Sequence, residues 1–133
     1  MIRHCSIVLV IALAAGLLVP TASAGTNADQ AATEIAYLID LVRKSDCAFI
    51  RNDVIYDGKA AADHIQQKYD YYKNQIGTTD DFIRLAASKS MLSGRPYMVR
   101  CSAVAAVPAA DWLHAQLDLY RAQHDSGTGT QSK

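Results

Sequence analysis

Four basic side chains stand where a fold could gather them around a ligand. Arg51 interrupts an apolar run, CAFIRNDVIY, at positions 47–56; His64 and Lys68 lie four apart in DHIQQK; Arg95 follows a Ser-Gly pair in SGRPY. Residues four apart share one face of a helix, so His64 and Lys68 form a polar stripe with Tyr71 and Gln75. If the three segments meet, Arg51, His64, Lys68 and Arg95 would make a small basic pocket. Asn52, Ser93 and Tyr97 would sit beside them, with Tyr56, Tyr71 or Tyr97 as aromatic walls. Such a pocket suits a carboxylate, a phosphate or a peptide terminus. Each residue also has a plainer use. Asn52 and Asp53 read as a hairpin turn, because both side chains tolerate left-handed backbone. Lys68 can pair with Asp63 or Asp57 along its own helix. Arg51 is the one the turn does not require.

A hydrolytic alternative takes His64 as general base, Asp57 or Asp63 to orient it, and a serine of SKSMLSG (Ser88, Ser90 or Ser93) as nucleophile. The segment has neither a Gly-x-Ser-x-Gly elbow nor the Ser-x-x-Lys of penicillin-binding enzymes. Serines after a helix commonly satisfy its last carbonyls or close turns. The adjacent Asp80 and Asp81 open a helix, where the backbone dipole already accounts for them. No glycine-rich phosphate loop appears. His64, His114 and His124 show no ligand spacing with a cysteine, so neither metal nor cofactor is expected. The residues favour a non-enzymatic binding module for a small anionic ligand. A third reading is an interaction module for an envelope protein, although seven tyrosines can all be placed at the edge of a core.

The N-terminus bears on where this chemistry would occur. Arg3 precedes SIVLVIALAAGLLV at 6–19, uncharged and largely apolar, and Ala22-Ser23-Ala24 provides small residues for a signal peptidase. This predicts a signal peptide over 1–24, cleaved after Ala24, and a periplasmic protein. As a membrane anchor the stretch is short: fourteen residues span roughly 21 Å of a roughly 30 Å hydrocarbon core. Removing 24 of 133 residues leaves 109, enough for one domain. Of 13 basic and 13 acidic side chains only Arg3 would be lost, leaving 12 against 13. A near-neutral chain without a basic run argues against nucleic acid or an anionic membrane as partner. Cys5 would leave with the signal, and Cys47 and Cys101 would remain. Two cysteines in an exported domain, without Cys-x-x-Cys spacing, predict one structural disulfide.

The elements that must position these residues follow from periodicity. Ala31, Ile35, Leu38, Ile39 and Val42 mark a one-sided helix over 29–44, capped by Asp29. Positions 47–56 predict a hairpin. Asp57 caps a second helix running to Ile76, with Ala61, Ile65, Tyr69, Tyr72 and Ile76 as its inward stripe, and Gly77 ends it. Thr78 or Thr79 caps a third helix with Phe82, Ile83, Ala86 and Ala87 inward. Tyr97, Val99 and Cys101 alternate along a strand, which would let Cys101 face Cys47. Pro108 starts a last helix with Ala109, Trp112, Leu113, Leu117 and Tyr120 inward. Positions 125–133 read as a flexible tail. The expected fold is α+β: about four helices around a small two- or three-stranded antiparallel sheet, in one domain over 25–124.

Several of these segments also match a known pattern. FIRND (49–53), AAADHIQQKY (60–69), TTDDFIRLAASKSMLSGRPYMV (78–99) and WLHAQL (112–117) resemble the YfeK-like family of small exported bacterial proteins, a domain of unknown function. The resemblance covers roughly 34–121, with the pieces in the family's order. It implies export and a small soluble domain, and it supplies no activity. The family pattern has Asn-Gly at the hairpin where this chain has Asn52-Asp53. The two cysteines are not part of that pattern, so the expected disulfide rests on compartment alone.

Overall fold

The structure is a computed structural model, and it describes residues 26–125. The expected signal peptide and most of the expected tail lie outside the described residues.

Helix α1 spans Asn27–Lys44 and begins earlier than periodicity suggests. Thr26 is its cap: its hydroxyl accepts from the Asp29 amide, and the Asp29 carboxylate takes the Thr26 amide in return. Asp29, expected as the cap, is the third residue of this reciprocal box. Ala31, Ile35, Leu38, Ile39 and Val42 are buried as their spacing requires. Glu34 is buried with them, in the same phase. Arg121 meets it through two 2.8 Å bonds, and Thr79 and Gln30 also donate to it. The bonds from Arg121 outweigh the cost of burial and hold the Glu34 pKa down to about 2.

Strands β1 (Ala48–Arg51) and β2 (Val54–Tyr56) form the hairpin. Asn52 and Asp53 both take positive φ, 51° and 67°, as a two-residue turn joining twisted strands demands. β3 (Met98–Arg100) pairs with the other side of β1, and β4 (Val107–Pro108) pairs with β3. The antiparallel order is β2-β1-β3-β4, one strand more than expected. β4 has only two residues and ends in proline, which a sheet accepts at its edge because no ladder amide is lost there. Nothing in its sequence marks it as a strand.

Register carries two consequences. Phe49 faces Val99 and Ala48 faces Arg100, so the next pair outward is Cys47 and Cys101. These cysteines form the disulfide, with Cα atoms 4.3 Å apart. On the inner face Phe49 and Val99 enter the core; on the outer face one cross-strand row reads Ile55, Ile50, Met98, Pro108, with Ile55 exposed.

Helix α2 spans Gly58–Tyr72, capped by Asp57, and a short 3₁₀ turn continues it to Gln75. Its buried residues are Gly58, Ala62, Ile65 and Lys68. The expected stripe of Ala61, Tyr69 and Tyr72 is only partly buried, so the helix is turned toward the polar flank of its sequence. Its first turn explains part of this. A Cβ on Gly58 would lie 2.3 Å from the Val42 carbonyl and 2.7 Å from that of Ser45, so only glycine lets α2 meet the end of α1 there. Helix α3 (Thr79–Phe82) runs directly into a π-helical turn over Ile83–Ala87. Helix α4 (Ala109–Asp125) closes the core through Ala109, Leu113 and Leu117, and it includes Asp125, expected to begin the tail. None of the described helices is long and apolar enough to cross a membrane.

Candidate functional site

Alternation along β1 places Cys47, Phe49 and Arg51 on the inner face of the sheet. One step beyond the last ladder pair, the β1–β3 register sets Arg51 across from Tyr97. Tyr56, opposite Phe49, lies diagonal to Arg51 on its other side. Helix α2 brings His64 and Lys68, one turn apart, over the same end of that face. The side chains converge on one phenol. His64 Nε2 and Tyr97 Oη are 3.0 Å apart, and Lys68 Nζ donates to Tyr97 Oη at 3.4 Å. Lys68 also donates to the Lys89 carbonyl at 2.6 Å, and its ammonium lies 5.0 Å from the centre of the Tyr97 ring. Arg51 donates to the Tyr56 hydroxyl at 3.0 Å and stacks over that ring at 4.5 Å.

This gathering is electrostatically one-sided. Among the described residues, every ion pair lies elsewhere and none includes Arg51, His64 or Lys68. Lys68 is only 6% exposed. Burial first, then the charges of Arg51 and Lys89, push its pKa down to about 8. Burial, Arg51 and Lys68 also lower the pKa of His64, which favours neutral imidazole. Burial raises that of the Tyr97 phenol against the opposing pull of Arg51. Neutral imidazole can accept the Tyr97 proton, giving a chain in which Lys68 donates to Tyr97 and Tyr97 to His64.

Beside this cluster a small recess of about 40 Å³ runs toward the core. Arg51, His64, Tyr56 and Tyr97 supply its polar groups. The remaining wall is apolar, built by Val42, Phe49, Ile50, Ile65 and Leu113 with Ala60, Ala61, Ala87 and Ala109. The four alanines leave the space that larger side chains would fill.

The other residues singled out by sequence are engaged elsewhere. Arg95 does not join the recess: its guanidinium is held in a two-bond fork by Asp53, both bonds 2.7 Å, on the exposed hairpin tip. Asn52 accepts from the Ser93 hydroxyl at 2.7 Å and reaches Ser90 at 3.5 Å. Asn52, Asp53, Ser93 and Arg95 therefore tie the hairpin to the following loop. Tyr71 is exposed and forms no wall. Lys68 pairs with neither Asp57 nor Asp63: Asp57 caps α2, and Asp63 binds Arg43 and Lys59. The hydroxyl of Ser88 donates to the Arg84 carbonyl, and neither it, Ser90 nor Ser93 bonds His64. No acid–histidine–serine relay is assembled among these residues. Among the described residues no cluster of His, Cys, Asp or Glu is placed to hold a metal.

Sequence reasoning missed the alanine wall. Its trace is the run GKAAAD at the start of α2, where small residues crowd one turn. It also missed the Glu34–Arg121 pair, which the apolar phase of α1 could have flagged, since Glu34 falls between Ala31 and Leu38.

The family model described as "Family of unknown function (DUF5329)" matches residues 29–121, and the chain belongs to that family. It is also similar to a protein of Salmonella typhimurium (strain LT2) named "Uncharacterized protein YfeK". The two are 36% identical over 89 residues, which cover 67% of this chain and 74% of that one. No solved structure matches the chain.

Proposed function

We propose that this protein is exported to the periplasm and acts there as a non-enzymatic binding module, holding a small anion where Arg51, His64 and Tyr97 meet the recess. The carrying observation is Lys68, buried and mostly charged near neutral pH, set with Arg51 and His64 where no carboxylate among the described residues pairs with them. A core that needed only packing would be more stable with an apolar residue there. Proteins keep such costs where function requires them. An anion would convert the repulsion among these groups into attraction. Arg51 gives one hydrogen bond to Tyr56 and retains further N–H donors for it. Export is supported by the signal-like residues 1–24 and agrees with the Cys47–Cys101 disulfide, a bond that persists in oxidising compartments.

The test is titration of the protein with acetate and with phosphate, followed at the His64 ring by NMR. Binding should raise the His64 pKa, because a nearby negative charge favours imidazolium. Arg51→Met should weaken binding about tenfold to a hundredfold, the value of a charge-assisted hydrogen bond. His64 signals that respond to neither anion would sink the reading. Intact mass of protein recovered from the periplasm, short of residues 1–24, tests export separately.

A second reading, an interaction module for an envelope protein, draws on the apolar row Ile55, Ile50, Met98 and Pro108 along the outer face of the sheet.

A further inference from the structure

We infer that the ligand is a small monocarboxylate with a short apolar tail, the tail entering the recess and the carboxylate stopping at Arg51 and the His64–Tyr97 pair. The inference rests on the anion-binding reading and narrows it. The recess is polar at one end only. Arg51 and His64 are partly exposed and mark its mouth, whereas Val42, Ile65, Ala87 and Leu113 behind them are almost wholly buried and offer no hydrogen bond. A ligand spanning both zones must be charged at one end and apolar at the other.

The donors at the mouth choose the head group. Arg51 presents a planar fork. His64 and Tyr97 already share one proton between them. Lys68 sits against the Tyr97 ring and spends its shortest bond on a backbone carbonyl. Two oxygens can be satisfied here. The three oxygens and extra charge of a phosphate would leave acceptors unpaired next to an apolar wall.

The experiment compares acetate, butanoate and hexanoate with butyl phosphate and hexylamine, each titrated calorimetrically into the intact protein. Each added methylene should tighten binding about threefold to fourfold until the recess is full, the gain expected for burying a CH₂ group. Ala61→Leu, which narrows the recess at a partly exposed position, should flatten that dependence so that acetate and hexanoate bind alike. Affinity that does not change with chain length in the unaltered protein overturns the tail claim and leaves the anion site standing. Butyl phosphate binding more tightly than butanoate overturns the choice of carboxylate. Hexylamine binding as well as hexanoate overturns the anion site itself.

Discussion

Lys68 is where local preference and tertiary position conflict most. Four residues after His64 it belongs by sequence to a polar stripe, yet it is packed beneath the Tyr97 ring, donating to the Lys89 carbonyl and the Tyr97 phenol. Its depressed pKa states a pH dependence. In the unfolded chain lysine holds its proton to about 10.5, but in the fold only to about 8. Charged Lys68 therefore lowers stability below about pH 8, and the penalty fades as pH rises from there toward 10.5, where the unfolded chain also begins to lose the proton. Lys68→Met should raise stability at pH 7 by about 1–2 kcal/mol, after allowing for the lost bond to Lys89. Chemical denaturation as a function of pH should show that advantage shrinking above pH 8. A variant less stable than the parent at pH 7 would mean the ammonium is structural and would remove the observation on which the anion site stands. His64 titrates in the same sense: its lowered pKa makes the fold less stable as pH falls below 6.5.

At the scale of elements, the placement of α2 decides whether a site exists. Its Asp57 cap fixes where the helix starts, and Gly58 lets that first turn touch the carbonyls at the end of α1. Gly58→Ala must push the helices apart, because the obstructing atoms are backbone. It should lower stability by about 3 kcal/mol, the upper range for overpacking, and change the His64–Tyr97 contact. Thermal unfolding reads the first effect and the His64 NMR signals the second. An alanine variant of unaltered stability would show that the close approach is not needed. The hairpin works in the same way at its own tip. Asn52 and Asp53 make the turn, and Asp53 and Asn52 then use their side chains to fasten Arg95 and Ser93. Arg51, one residue earlier, points inward.

Across the whole molecule, the disulfide staples β1 to β3 at the end of their ladder, and the Glu34–Arg121 ion pair ties α1 to α4. Cys47 and Cys101 are 54 residues apart, a loop for which the chain-entropy account gives about 4 kcal/mol. Replacing both by alanine should remove about 2–4 kcal/mol and lower the melting temperature by about 10–20 °C. The recess should be retained, because the β1–β3 register is set by Phe49 and Val99 as well. If the double variant melts with the parent, the bond contributes nothing to stability. Glu34 and Arg121 similarly hold α4 against α1, and Glu34 is buried where a carboxylate needs this partner.

The α+β class, the inward phases of α1 and α4, the hairpin at 47–56 and the pairing of the cysteines were all legible in the sequence. They depend on local spacing, on turn-forming residues, or on there being two cysteines after the signal-like residues 1–24. That Arg51 shares a strand face with Cys47 and Phe49, and His64 a helix face with Lys68, was also legible, because strand alternation and an i, i+4 spacing each fix a face. Three things were settled only by tertiary packing. The turning of α2 that buries Lys68 depends on how closely Gly58 lets two helices approach. The engagement of Arg95 by Asp53 depends on which loop lies beside the hairpin tip. The recess exists because alanines from three distant segments line the same space. Each is a contact between residues far apart in the chain, and periodicity says which way a residue points on its own element without saying what stands opposite.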